Sequence, residues 1–316
     1  MTSSAMGQKS LIREDQLVEL THLLSPATSL RLNEPLAKRT TLRVGGPADL
    51  LAEPASESDL SQLLRYAVQA NWPVFMLGRG SNLLIRDGGV RGLVITLSNP
   101  SFCTIQVEGV RLICGAGARL KHVAVEARRN SITGVEFLEG IPGNIGGALR
   151  MNAGAMGSAI FEVAEKIRYM NFAGESYEVA ASEIPYEYRN CSFFAEQIAL
   201  GAVLTGRIER KELIEARMKL GNEKRWSSQP AAPSAGCIFK NSVAMPTGKL
   251  VEELGLKGMR VGGAEISEVH GNFIVNDGSA SAKDVLALIA LVKEQAQQLR
   301  GIQLQTEVQI IGEDLD

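Results

Sequence analysis

Three observations predict an α+β fold built from several units. The chain has 316 residues, above the roughly 250–300 that one hydrophobic core serves. Its first hundred residues alternate a helical stripe with short apolar runs, whereas the next hundred carry strands at hairpin spacing. The excess of glycine, 32 residues in all, is gathered in loops between these elements.

Residues 11–24 form a weakly amphipathic helix that reads as an appendage. The chain then turns tightly at Arg43-Val44-Gly45-Gly46-Pro47, and Ser58-Asp59 caps a helix with the stripe Leu60, Leu63, Leu64, Ala67 and Val68. Trp72-Pro73 breaks that helix, and a strand over 74–77 runs into the loop Gly78-Arg79-Gly80-Ser81-Asn82. A strand over 93–97 closes a βαβ-like unit. Strands over 102–107 and 110–114 are joined at Glu108-Gly109 as a hairpin. A helix over 119–130, with the stripe Leu120, Val123, Ala124 and Ala127, leads to a long run of small residues over 140–154; strands over 166–172 and 198–208 follow.

A charged helix over 210–225 and an extended loop over 229–234 link to the third unit. That unit holds a helix capped at Thr247 and stopped by Gly255, the segment 258–264, and a strand over 272–276. Ser281-Ala282-Lys283-Asp284 opens the last helix as a capping box with Asp in place of Glu or Gln. Its stripe is Val285, Leu288, Ile289, Val292, Ala296 and Leu299, and Gly301 ends it. A strand over 303–311 alternates, with Leu304, Thr306, Val308 and Ile310 facing inward. The units expected are 1–98, 99–209 and 210–301, with 302–316 returning to the first.

Apolar residues make up 45% and charged ones 22%, as in globular proteins, and the net charge of −2 offers no basic excess for nucleic acid. The longest aliphatic stretch, 285–292, is far short of the ~20 residues that cross a bilayer, so no membrane partner is expected. The first ten residues hold one lysine and no apolar segment; no secretory signal is read there, and a cytoplasmic location follows. Cys103, Cys114, Cys191 and Cys237, like His22, His122 and His270, are dispersed without metal-ligand spacing, so neither a metal nor a disulfide framework is expected.

The glycine loops carry the chemical signal. Residues 140–154 present main chain almost without side-chain bulk, so a ligand meets backbone N–H groups at close range. Such a surface suits a pyrophosphate or the polar edge of a flat ring. With Gly78-Arg79-Gly80-Ser81-Asn82 it makes two loops, as for a dinucleotide gripped from two sides. Gly115-Ala116-Gly117-Ala118-Arg119-Leu120 and Gly78-x-Gly80-x-x-Leu83 both lack the third glycine of a Rossmann turn, so neither is a nicotinamide fingerprint.

Taken together, the motifs resemble those of the UDP-N-acetylenolpyruvoylglucosamine reductase family. They are Thr40-Thr41-Leu42-Arg43-Val44-Gly45-Gly46-Pro47-Ala48, Gly78-Arg79-Gly80-Ser81-Asn82-Leu83-Leu84 and the run 140–157, then Pro185-Tyr186-Glu187-Tyr188-Arg189 and Pro233-Ser234-Ala235-Gly236-Cys237-Ile238-Phe239-Lys240-Asn241. Gly258-Met259-Arg260-Val261-Gly262-Gly263-Ala264, His270-Gly271-Asn272-Phe273-Ile274-Val275-Asn276 and Glu307-Val308 complete a series in the family's order from about residue 35 to 311. The length is similar to the shorter subclass, which lacks an inserted tyrosine-bearing loop.

The resemblance implies a three-domain flavoprotein with a two-part PCMH-type FAD-binding region and a smaller α/β substrate domain. It also implies FAD as cofactor, NADPH as co-substrate, and the enolpyruvyl ether of UDP-N-acetylglucosamine as the small-molecule partner, reduced to UDP-N-acetylmuramate for peptidoglycan. FAD is expected to be non-covalent, because Ser81-Asn82 stands where covalent members of the wider superfamily often place histidine. Its binding positions are Arg43, Gly45, Gly78, Arg79, Gly80, Ser81, Asn82, Pro142, Gly143, Asn144, Gly146, Gly147, Asn152 and Gly154. Substrate contacts fall on Tyr188, Arg225 (for the diphosphate), Lys240 and Asn241; Ser242 departs from the family's usual proline.

Hydride addition to such an enol ether builds negative charge beside a carboxylate, which calls for a fixed cation and a proton donor. A preorganised donor at developing charge is typically worth ~3–4 kcal/mol. Arg189 matches the family's carboxylate-binding arginine, which grips with two parallel bonds where lysine cannot. Cys237 stands where the family carries its proton-donating serine or cysteine, whereas Cys103 and Cys114 read as small buried hydrophobes. Periodicity alone makes Glu307 a solvated strand residue with Gln305 and Gln309; the resemblance puts it at the substrate carboxylate. A flavin oxidase of the same superfamily and a non-catalytic nucleotide-binding regulator are the competing readings, and the second would lack this catalytic set.

Overall fold

The computed structural model describes residues 10–242 and 245–315. Three sheets organise the α+β chain. The first orders its strands Ser29–Pro35, Pro47–Glu53, Val90–Ile95 and Val74–Met76, the last three mutually parallel. Helix Glu57–Gln69 makes the crossover, buries Leu60, Leu63, Leu64 and Ala67, and leaves Val68 exposed. Its cap is Ser56, not Ser58: the Ser56 hydroxyl accepts the Asp59 N–H at 3.1 Å. The expected helix over 11–24 is confined to Glu14–Leu23.

Strand Pro47–Glu53 escaped the sequence reading because Ala48, Asp49, Leu50, Leu51 and Ala52 are all buried, so no alternation marks it. Its one buried charge, Asp49, is held by Arg91 at 2.6 Å and by the Gly92 N–H at 3.0 Å.

The second sheet is antiparallel throughout, ordered Ser176–Ala180, Ala164–Met170, Ile198–Thr205, Arg111–Gly115 and Ile105–Glu108. Phe102 lies in a 3-10 turn rather than in the strand expected over 102–107. The strand expected over 198–208 ends at Thr205. Beyond Gly206, Arg207–Ile208 pairs instead with Ile132–Thr133. Helix Leu120–Arg129 packs its predicted stripe into the same core. Within the run of small residues the chain forms a helix, Ile145–Met151, that composition gave no reason to expect.

The third sheet, Ser234–Cys237, Phe273–Asn276, Ala264–Ile266 and Arg260–Val261, is covered by helix Ala282–Arg300. The capping box at Ser281 and Asp284 is present, and Gly301 ends the helix in the left-handed conformation. Leu299 is exposed, so the buried stripe stops at Ala296. Thr247 is the first residue of helix Thr247–Glu253 and not its cap.

The expected continuous strand over 303–311 is divided between two partners. Lys240 N donates to Gln305 O at 2.9 Å and Glu307 N to Ile238 O at 2.8 Å, tying this segment to the third sheet's side. Gln309–Ile311 then runs parallel to Leu83–Ile85, just after the first glycine loop. Glu307 sits where the chain changes partner. Among the described residues no helix is long and apolar enough to cross a membrane.

Candidate active site

The two glycine loops face each other. A Cβ built on Gly78 would lie 2.9 Å from the Asn144 amide oxygen, and one on Gly143 would lie 4.0 Å from the Ser81 hydroxyl. Side chains at these glycines would fill the cleft that bare main chain leaves open. Gly80 adopts φ +60° and passes its carbonyl to the Thr41 N–H at 3.1 Å. Asn144 caps helix Ile145–Met151 by accepting the Gly147 N–H at 3.1 Å. The run rests on 116–120: Gly146 N donates to Ala116 O, Ile145 N to Ala118 O and Leu120 N to Gly143 O. The false Rossmann segment is therefore a shelf for the second loop.

The expected cofactor positions divide by place. Gly78, Arg79, Gly80, Ser81, Asn82, Gly143, Asn144, Gly146 and Gly147 gather on or beside this cleft, with Pro142 exposed at its edge. Arg43 (φ +60°) and Gly45 (φ +119°) stand behind it: the Asn276 amide donates to Leu42 O at 2.9 Å, and Gly45 lies against Ile85. Asn152 and Gly154 belong instead to the neighbouring cluster around Arg189.

Arg189 is held in a left-handed conformation, φ +56°, which costs a non-glycine residue about 1–3 kcal/mol and clusters at functional sites. Glu187 and Asn190 exchange backbone hydrogen bonds around it, and the buried Asn152 amide donates to Glu187 O at 3.0 Å. The Arg189 guanidinium donates through Nη2 to Gly154 O at 2.8 Å, and its Nε lies 3.2 Å from Glu307 Oε1. Its Cζ stands 4.9 Å from the centre of the exposed Tyr188 ring.

Cys237 ends strand Ser234–Cys237 beside this pair, largely enclosed yet with an open face. Burial, then the charge of Glu307, pushes its thiol up to about 12, with Arg189 opposing. It stays protonated at neutral pH. Burial also raises the Glu307 carboxyl above its ordinary value, against the pull of Arg189 and Lys240. The side chain of Glu307 is 17% exposed, whereas Gln305 and Gln309 on the same face are open.

A residue that sequence reasoning missed sets this register. Asn272, 2% exposed, accepts the Phe239 N–H at 2.9 Å and donates to Phe239 O at 2.8 Å, while its own carbonyl accepts Ile238 N. Its signal was available: an amide inside the apolar strand 272–276 must find partners. The Asn82 amide adds a tie from the first glycine loop to Glu307 O at 3.1 Å.

The expected substrate contacts are only partly gathered. Lys240 is near enough to act on Glu307. Asn241 accepts the Thr247 N–H at 3.1 Å, and so closes the end of helix Thr247–Glu253. Arg225 packs against Trp226 at 5.4 Å on helix Lys211–Ser228, and burial lowers its pKa. That helix reaches the cluster through Gly221, which meets Met156 two residues beyond Gly154. A hollow of about 430 Å³ beside it, lined by Arg128, Glu139, Met218 and Trp226 among others, includes none of the expected site residues. Among the described residues no three His, Cys, Asp or Glu side chains gather as metal ligands would.

A fixed cation, an enclosed carboxyl and a protonated thiol thus meet beside a cleft of bare peptide. Such a set can bind a carboxylate, absorb charge developing on it and deliver a proton.

Residues 229–311 match the family described as "UDP-N-acetylenolpyruvoylglucosamine reductase, C-terminal domain", and residues 48–179 match "FAD binding domain". A UDP-N-acetylenolpyruvoylglucosamine reductase of Syntrophomonas wolfei is 38% identical over 291 residues, covering 92% of this chain and 97% of that one. The protein of that name from Lactococcus lactis subsp. cremoris is 41% identical over 305 residues, covering 96% of this chain and 100% of its own. The crystal structure of the Thermus caldophilus reductase superposes with a TM-score of 0.79 at 36% identity, covering 90% of this chain and 98% of that one.

Proposed function

The chain belongs to the UDP-N-acetylenolpyruvoylglucosamine reductase family of FAD-dependent oxidoreductases, and from that premise we propose that it reduces the enolpyruvyl ether of UDP-N-acetylglucosamine to UDP-N-acetylmuramate with NADPH as co-substrate. The observation that carries the proposal is the Arg189–Glu307 pair, 3.2 Å apart, beside a Cys237 thiol that keeps its proton. We assign the two glycine loops to units 1–98 and 99–209 and Cys237 to a unit 210–301; within 302–316, it is Gln309–Ile311 that pairs with the first unit.

The loops 78–82 and 143–147 would hold FAD between them without a covalent bond, and when bound it would supply hydride chemistry toward the enolpyruvyl methylene. Arg189 receives the substrate carboxylate, and its bond to Gly154 O keeps the guanidinium plane in place as charge grows. A second carboxylate beside Glu307 acts in the same direction as burial and favours its protonated form. Cys237 gives its proton to the carbon left anionic, and the resulting thiolate is supported by Arg189. Lys240, Tyr188, Asn241 and Arg225 are assigned to the substrate, Arg225 to its diphosphate, as a guanidinium already short of counter-charge.

The test is an anaerobic titration of the purified yellow protein. NADPH should bleach the flavin, and the enolpyruvyl substrate should restore the oxidised spectrum stoichiometrically. Failure of the substrate to reoxidise the flavin overturns the proposal. Acid precipitation should leave the colour in the supernatant; a yellow pellet would mean covalent flavin.

A further inference from the structure

Arg119 has no place among the functions assigned above. It directly precedes helix Leu120–Arg129, and its side chain makes no cap hydrogen bond. Its backbone pairs with Asn144, and the next N–H, of Leu120, donates to Gly143 O at 3.1 Å. Asn144 in turn is the residue a Cβ on Gly78 would meet at 2.9 Å, and Arg79 follows Gly78. Two arginines therefore stand on separate segments at the meeting of the two glycine loops.

Many other arginines are neutralised. Arg39, Arg91, Arg111 and Arg217 each meet a carboxylate. Among the described residues neither Arg79 nor Arg119 forms an ion pair or a side-chain hydrogen bond. Partial burial, then the charge of Arg119, lowers the pKa of Arg79. Two guanidiniums that repel each other beside unencumbered backbone fit a ligand with two adjacent anionic groups.

We propose that Arg119 and Arg79 clamp the pyrophosphate of FAD between the two glycine loops, so that this protein discriminates dinucleotide from mononucleotide flavin; the clamp rests on the reading of this cleft as the FAD site. A pyrophosphate diester carries one negative charge on each phosphate, whereas riboflavin carries none and FMN a single terminal phosphate. Arg119 is a binding residue, remote in role from proton transfer.

The experiment follows flavin release and rebinding by fluorescence in wild type, Arg119→Gln and Arg119→Lys. On dilution of the holoproteins, Arg119→Gln should hold FAD at least about tenfold more weakly, the scale of a lost charge-assisted hydrogen bond, and Arg119→Lys should fall between. Binding of riboflavin to the stripped proteins should differ less than twofold. ADP binding to the stripped proteins, followed through its competition with riboflavin, should be about tenfold weaker in Arg119→Gln than in wild type. Wild-type FAD affinity in Arg119→Gln, or equal losses for FAD and riboflavin, overturns the clamp. If wild type takes up no FAD at all, the reading of the cleft itself fails, a result separable from either.

Discussion

Two enclosed carboxylates, Asp59 on helix Glu57–Gln69 and Glu307 at the junction of sheets, answer burial in opposite directions. Burial presses Asp59 toward its neutral form, but the Ser25 N–H at 3.0 Å and the Ser56 hydroxyl at 2.9 Å outweigh it and hold the carboxyl below its ordinary value. Glu307 has one ion-pair partner, Arg189 at 3.2 Å, and there burial prevails. The count of fixed donors separates the two. Asp59 is locked as an anion and ties the chain around Ser25 to the helix. Glu307 remains able to change state, and the cation beside it remains able to serve a second carboxylate.

The contrast predicts that substitutions around Glu307 cost rate and those around Asp59 cost stability. Arg189→Lys should slow reoxidation of the flavin by the enolpyruvyl substrate by about 10²–10³-fold, the loss of a preorganised charge partner, with melting temperature little changed. Single-turnover stopped-flow would show it, and a change under threefold would remove Arg189 from the carboxylate site. Cys237→Ala should slow the same half-reaction by at least ~10²-fold and leave reduction by NADPH intact. Wild-type reoxidation in that variant would dismiss the thiol as proton source.

Around Asp59 the expected effect moves from rate to stability. Asp59→Ala should cost about 1–3 kcal/mol in denaturant unfolding near neutral pH, by leaving buried donors unsatisfied, with rates unchanged in the folded protein. Because the folded pKa is lowered, the ionic part of that contribution is present above the unfolded value, near 3.8, and is lost as pH falls through the folded one. A pH-independent penalty would contradict the assignment. Glu307→Gln gives the smallest and opposite slope. With a folded pKa raised above 4.5, wild type should lose stability relative to this variant as pH rises from that value through the folded pKa. A difference that grows in wild type's favour would show that Arg189, not burial, governs Glu307.

Much of the architecture was readable without coordinates. The hairpin at Glu108-Gly109, the buried stripe of helix Leu120–Arg129, the capping box at Ser281 and Asp284, and the two bare loops each arise from neighbours in the chain. Periodicity reports such features because one element's own faces and caps determine them. Pro47–Glu53 was lost because burial on both faces leaves no period, and Ile145–Met151 because small residues hide a helix. Arg189, Cys237 and Glu307, which the fold brings together, were singled out by the motifs around them and not by any chemistry visible one residue at a time.

Fold class and the FAD-binding character of the chain were already legible in the order of amino acids. The folded chain alone decided that Glu307 is enclosed while Gln305 and Gln309 are open, that Asn272 grips Phe239, and that the charge of Arg119 reaches Arg79. The physical reason is separation: Asn82 and Glu307 are 225 positions apart, and no local pattern records a bond between them. A pKa or an ion pair belongs to the space several segments share, and that space exists only once they have packed.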